Sequence, residues 1–163
     1  MGLAAVQLGL PSRMFLAAVP HSLKAIHLMG SKPNKYPDQF PTTLRYGVFV
    51  NPEIVWTSTV AEYAVESCIS LPGTFCFVPR FVDIKIRYQT LGTDESRYAR
   101  LSGLFARVFQ HEHDHLDGIL ITDRHVEPKT VVKKKSDLLA IENEIRQLAA
   151  EEQQEASLAK SDV

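Results

Sequence analysis

Within the stretch 104–116, LFARVFQHEHDHL, the chain carries His111-Glu112-His113-Asp114-His115, followed by Asp117-Gly118. Four residues advance an α-helix by about 400°, so His111 and His115 fall one above the other on one face. Two imidazoles at that spacing suit one metal ion, and Glu112 beside them suits proton transfer for an activated water. Leu104 and Val108 extend the same stripe, which predicts that the ligands lie on a buried face. His113 turns to nearly the opposite side and is not expected to ligate. Gly118 fits a helix stop. Six histidines in 163 residues also allow a chance cluster, so the pattern needs support from elsewhere in the chain.

A hydrolytic metal site takes three protein ligands and keeps one position open. Downstream, the candidate donors are His125, Glu142 and Glu144. Upstream, Cys68 lies in Glu66-Ser67-Cys68-Ile69-Ser70-Leu71-Pro72-Gly73, beside an acid and a hydroxyl. A thiolate with two imidazoles would make a tetrahedral Cys-His-His site with one open position. The other cysteine, Cys76, alternates with Phe75 and Phe77 and reads as a small core residue. Two cysteines are too few for a disulfide scaffold.

The length suits one domain, and 45% apolar residues suffice for a core. With 18 basic against 19 acidic residues, nothing points to direct nucleic-acid binding or to an anionic membrane. No run of about 20 apolar residues occurs, so no membrane span is expected. The start lacks a signal or transit-like stretch and reads like the interior of a domain, so further upstream sequence is expected.

The elements that would position these residues follow from spacing. Gly2, Ala4 and Ala5 leave room for a close approach to the backbone. Gln7 is the only polar side chain before Ser12 and, from spacing alone, reads as a buried amide satisfied by the backbone. A turn at 9–12 precedes a strand at 14–19. Residues 21–46, with Pro33, Pro37 and Pro41, form an irregular excursion. Residues 48–50 and 53–56 read as strand, interrupted at Asn51-Pro52. Residues 59–65 lead into the cysteine segment, Pro72-Gly73 reads as a turn, and a short strand at 75–78 should stop at Pro79. Val82, Ile84, Ile86 and Tyr88 alternate with Asp83, Lys85, Arg87 and Gln89, the pattern of a half-buried antiparallel strand. A hairpin turn at 91–94 leads to a return strand at 95–101. Beyond the histidine helix come a short strand at 119–122 and a helix at 128–156 with Leu138, Ile141, Ile145 and Leu148 on one stripe. Strands in succession followed by helices predict an α+β fold: antiparallel sheets packed around a central metal-binding helix, with a C-terminal helix, in a single domain over 1–163.

Taken together, the chain resembles the peptide deformylases over nearly its whole length. Gly2-Leu3-Ala4-Ala5-Val6-Gln7 matches the end of that family's G-x-G-x-A-A-x-Q motif. Glu66-Ser67-Cys68-Ile69-Ser70 resembles its E-G-C-L-S motif, and Gln110-His111-Glu112-His113-Asp114-His115-Leu116 its Q-H-E-x-D-H-L motif. Val50-Asn51-Pro52 and Pro79-Arg80 also fall where the family has similar residues. The excursion at 21–46 is similar to the longer connection of eukaryotic organellar members, which implies a mitochondrial or other organellar location. The family's first motif and an N-terminal helical region would precede residue 1.

The resemblance implies removal of the formyl group from N-formylmethionyl peptides of nascent proteins, with possible ribosome association. Cys68, His111 and His115 would hold one divalent metal, Fe2+ by resemblance, with Zn2+, Ni2+ or Co2+ as substitutes. The metal would acidify a water for attack on the formyl carbon, and Glu112 would carry its proton to the leaving amine. The Gln7 amide and the Ile69 backbone N–H would bind the developing oxyanion. Gly2, Leu3, Glu66, Ser67, Arg107 and Val108 are the expected substrate contacts. Glu66 is also expected to pair with Arg80 and steady the cysteine loop, and the Arg107 head either meets peptide or reaches along its stem to solvent. Ser67 stands where the family has glycine, which predicts weakened activity. Two other readings compete: an H-E-x-x-H zinc metallopeptidase with a third ligand other than Cys68, and a catalytically weak deformylase-like protein that binds a peptide or partner.

Overall fold

The alternating residues settle into strands whose apolar sides meet one face of the histidine helix. The computed structural model describes residues 2–18, 35 and 46–126. β1 (Gly2–Ala4), β2 (Met14–Ala18), β3 (Tyr46–Thr57), β6 (Asp83–Gln89) and β7 (Arg97–Ser102) form an antiparallel sheet in that spatial order. β4 (Ala61–Cys68) and β5 (Leu71–Phe81) form a second, two-stranded antiparallel sheet. A 3₁₀ turn, Ala5–Leu8, follows β1, and α1 (Gly103–Leu116) follows β7. α1 touches β1, β2, β6 and β7 of the larger sheet and β5 of the smaller, so it lies between them. The α+β architecture with a central helix is therefore present.

Phe15, Phe49 and Phe109 form the middle of the core, with ring centroids 5.0–5.3 Å apart. Ile84, Ile86 and Leu101 surround the same cluster and are fully buried. Phe109 projects from α1 onto β2 and β3, and truncating it to alanine would cost roughly 3–5 kcal/mol. Gln110 fixes α1 to the other sheet: its Oε1 accepts from the Phe81 N–H at 3.0 Å and its Nε2 donates to the Phe81 carbonyl at 2.9 Å. The helix thus holds the end of β5 as a neighbouring strand would.

Several local expectations are corrected. The break at Asn51-Pro52 does not divide β3. It becomes a register shift between Val50 and Glu53, with Asn51 at φ 46°. The turn expected at Pro72-Gly73 lies instead at Ile69-Ser70, because Cys68 pairs with Leu71 while Ser67 pairs with Phe75. Residues 72–74 are the surplus, and Gly73 takes φ 74° there. Pro79 does not stop β5, which runs on to Phe81. In a two-stranded sheet a residue without an N–H leaves no third strand unpaired. Residues 119–122 form no strand: the Leu120 N–H bonds Asp123 Oδ2 and the Asp123 N–H bonds the Leu120 carbonyl, closing a turn. The expected helix at 128–156, and all of the 21–46 excursion except residues 35 and 46, lie outside the described residues. No helix among the described residues is long and apolar enough to cross a membrane.

Candidate metal centre

α1 presents His111 and His115 one turn apart, with ring centroids separated by 5.0 Å. Cys68 ends β4 at the tip of the β4–β5 hairpin, where the register shift turns its sulfur toward the helix. Its Sγ lies 3.1 Å from His115 Nε2. One donor atom from each of Cys68, His111 and His115 falls within 4.8 Å of the others, the one such cluster among the described residues. Tetrahedral ligands at about 2.0–2.3 Å from a metal stand about 3.3–3.8 Å from one another. The three side chains therefore fit one ion after small adjustments. His125, the alternative downstream ligand, is used elsewhere, since its Nδ1 accepts from the Phe77 N–H at 3.2 Å. Glu142 and Glu144 lie outside the described residues. His113 stacks on Phe109 and reaches Asp117, away from the cluster.

Glu112 is 3% exposed, and its Oε2 has no hydrogen-bond partner. Burial pushes its carboxyl up to a pKa of about 7, the range that suits a general base at neutral pH. Gly2 of β1 faces it, and a β-carbon there would lie 2.3 Å from Glu112 Oε1. A buried carboxylate oxygen with no protein partner, on the residue next to His111, has its lone pairs available to a water or other donor at the cluster.

Gln7 reaches the cluster from the 3₁₀ turn. Its Oε1 accepts from the Ala4 N–H at 2.8 Å, which fixes which end of the amide is nitrogen. Its Nε2 donates to Ser70 Oγ at 2.9 Å and lies 3.3 Å from His115 Nε2 and 3.7 Å from Cys68 Sγ. The backbone partner expected for this amide is the Ala4 N–H, the side chain is half-buried rather than buried, and its other end is aimed at the ligands.

Behind the ligands lies a charge network. Glu66 Oε2 accepts from His111 Nδ1 and from Arg80 Nη2, both at 2.9 Å, and its Oε1 accepts from Arg80 Nε at 3.0 Å and Arg107 Nη1 at 2.9 Å. The bond to Nδ1 leaves Nε2 of His111 free to ligate. Burial opposes ionisation of Glu66, but His111, Arg80 and Arg107 outweigh it and hold its pKa at about 2. Burial likewise works against protonation of His111, and Glu66 outweighs it, so the His111 pKa is raised. Burial and the nearby His111 lower that of His115. Arg80 continues to Asp114, which also receives Arg124 Nη2 at 2.7 Å and Nε at 3.0 Å.

The substrate contacts expected from sequence divide. Gly2, Ser67 and Val108 line a cleft of about 670 Å³ beside the cluster, together with Gln7, Ile69 and Leu104, within the usual range for small-ligand sites. Leu3 does not line it; it pairs with Leu16 on β2 and alternates away from buried Ala4. Glu66 and Arg107 border the cleft, but their polar atoms are occupied: Arg107 also donates to the carbonyls of Val78 at 3.0 Å and Glu62 at 2.7 Å. Neither is placed to bind substrate through its charge, and the Arg107 head turns inward to Glu66 and these carbonyls, where burial lowers its pKa although Glu66 opposes the shift. Gln110, Asp114 and Arg124 had no assigned role in the sequence. The first two stand with Arg107 at helical spacing, a polar stripe beside the ligand stripe that could have revealed them.

The fold and site define a Cys-His-His cluster that could hold one metal ion, two of its members on a central helix, with a buried carboxylate beside them. A family described as polypeptide deformylase matches residues 1–131. The chain belongs to this family. It is 39% identical over 124 residues to a peptide deformylase of Roseiflexus castenholzii, covering 76% of this chain and 63% of that protein. With a peptide deformylase of Thermus thermophilus, identity is 35% over 157 residues, 93% of this chain and 76% of that one. The crystal structure of the Thermotoga maritima enzyme superposes with a TM-score of 0.60 at 34% identity, over 77% of this chain and 69% of that chain. A Met-Ala-Ser-bound class I type b peptide deformylase from Acinetobacter baumannii superposes with a TM-score of 0.58 at 35% identity, over 76% of this chain and 69% of that chain. The chain thus spans just under two thirds of the length of the Roseiflexus relative.

Proposed function

We propose that this chain hydrolyses the formyl amide of N-formylmethionyl peptides, giving formate and a free amino terminus. The observation that carries this reading is the unpartnered, buried Glu112 Oε2 beside the Cys68–His111–His115 cluster. Cys68 and the two histidines would hold a divalent ion, which when bound supplies Lewis acidity and makes a water acidic near neutral pH. Glu112 would take the proton from the attacking water as the water oxygen adds to the formyl carbon. The Gln7 N–H, and by family resemblance the backbone N–H of Ile69, donate to the carbonyl oxygen as it gains charge. Glu112 then returns the proton to the amine nitrogen as the C–N bond breaks.

The apolar wall from Leu104, Val108 and Phe75 suits an unbranched thioether side chain such as methionine. The Met-Ala-Ser bound to the Acinetobacter relative supports the same substrate class here. A thiolate with two imidazoles accepts Fe2+, Zn2+, Co2+ or Ni2+, and we favour ferrous iron on family resemblance. Formate release from formyl-Met-Ala-Ser by metal-loaded protein tests the reading. Cleavage of internal peptide bonds without formate would instead support a metallopeptidase, and peptide binding without turnover a non-catalytic relative.

A further inference from the structure

We propose that Ser70 is a positioning residue, setting the direction of the Gln7 amide and its spacing from the Ile69 N–H. The substrate in this inference is that of the deformylase reading; the geometry stands apart from it. A glutamine side chain ends in a rotor, and an oxyanion donor on a rotor works only if the rotor is held. Gln7 is held at two points. The Ala4 N–H occupies Oε1, so a flipped amide would set its NH2 against another donor. Ser70 Oγ takes one of the two Nε2 hydrogens at 2.9 Å. The other is left facing Cys68 Sγ and His115 Nε2, where the ligands converge.

Ser70 is also the second residue of the two-residue turn between Cys68 and Leu71. Its neighbours in that turn are thus a metal ligand and the residue whose N–H is the partner donor. One hydroxyl therefore ties the 3₁₀ turn that carries Gln7 to the hairpin tip that carries Cys68 and Ile69. Ser70 is exposed and belongs to neither buried cluster, so a purely packing role does not explain its bond to a residue 63 positions away along the chain.

The test uses the zinc-loaded chain and three variants: Ser70→Ala, Ser70→Thr and Gln7→Ala. The first readout is the heteronuclear NOE of the Gln7 side-chain amide, which needs no turnover. It should fall in Ser70→Ala and return in Ser70→Thr, with zinc affinity unchanged in both. On formyl-Met-Ala-Ser, Ser70→Ala should lose about 10-fold in kcat, the scale of one net hydrogen bond, with KM little altered. Ser70→Ala should add nothing further in a Gln7→Ala background. An equally rigid Gln7 amide in Ser70→Ala overturns the proposal, as does a full additive loss in the double variant. Loss of amide order in a protein whose wild type releases no formate supports the positioning role while removing the deformylase reading.

Discussion

Gly2 of β1 lies directly against Glu112 of α1, with no room between them for a side chain: a β-carbon on Gly2 would stand 2.3 Å from Glu112 Oε1 and 2.4 Å from Cγ and Cδ. Glycine here places backbone against a carboxylate and so fixes one side of the Glu112 side chain. Gly2→Ala should displace Glu112 while leaving Cys68, His111 and His115 in place. We expect turnover to fall at least 10-fold with metal content unchanged, read by parallel kinetics and metal analysis. Loss of the metal together with the activity would show that the contact supports the ligands and not the base.

The same burial that raises the Glu112 pKa should cost stability. Its folded-state value is about 7 against an ordinary 4.5, so between these values the folded chain binds more protons than the unfolded one. Stability then falls as pH rises through that window, by an amount on the order of 3 kcal/mol. Glu112→Gln, with nothing to ionise, should therefore make the metal-free protein more stable at pH 8 and leave it little changed at pH 4.5. Urea unfolding at the two pH values checks both halves.

Glu66 carries the opposite sign. Its folded pKa of about 2 lies below the ordinary 4.5, so its contribution is complete above pH 4.5 and is lost as pH falls toward 2. Wild-type metal-free protein should lose more stability between pH 5 and pH 3 than Glu66→Gln does. Because Glu66 orients His111 through Nδ1, the same variant should bind zinc about 10–100-fold more weakly. A chelator competition titration measures that loss.

Ser67 is exposed and lines the cleft where the family has glycine. Crowding of the transition state by its Cβ and hydroxyl would slow the reaction about 10–100-fold for a loss of about 1.4–2.8 kcal/mol. Ser67→Gly should accordingly raise kcat/KM on formyl-Met-Ala-Ser, compared with the same metal in both proteins. An unchanged value would place any weakness in the proposed activity elsewhere.

What the sequence disclosed, and what it concealed, follows the range of the forces involved. Helical spacing put His111 above His115, and simple alternation marked β6, because both are local periodicities. The spacing of Cys68 from the helix carries no such signal; its residue type made it a candidate beside His125, Glu142 and Glu144, the motif resemblance singled it out, and the hairpin register brings it to the helix. The turn was expected at Pro72-Gly73 because those residue types favour turns, yet strand pairing moved it to Ile69-Ser70 and left Gly73 in a bulge. Arg107 could be read as a substrate contact or a solvent-reaching head because its partners, Glu66 and the Val78 and Glu62 carbonyls, lie 29 to 45 residues away. Asp114 and Arg124 stayed hidden for the same reason: their roles depend on Arg80, an arginine from another element.

The account rests on Glu112 as the group that moves the proton in a formyl-amide hydrolysis. The most direct measurement is formate release from formyl-Met-Ala-Ser by wild type and Glu112→Gln, each loaded with one metal ion per chain. Wild type should release formate, and Glu112→Gln should be slower by several orders of magnitude at equal metal content, toward the upper end of the roughly 10²–10⁴-fold that general acid–base catalysis contributes, because the acid and base steps are both lost. Formate release at equal rates from the two proteins, or none from wild type, would contradict it.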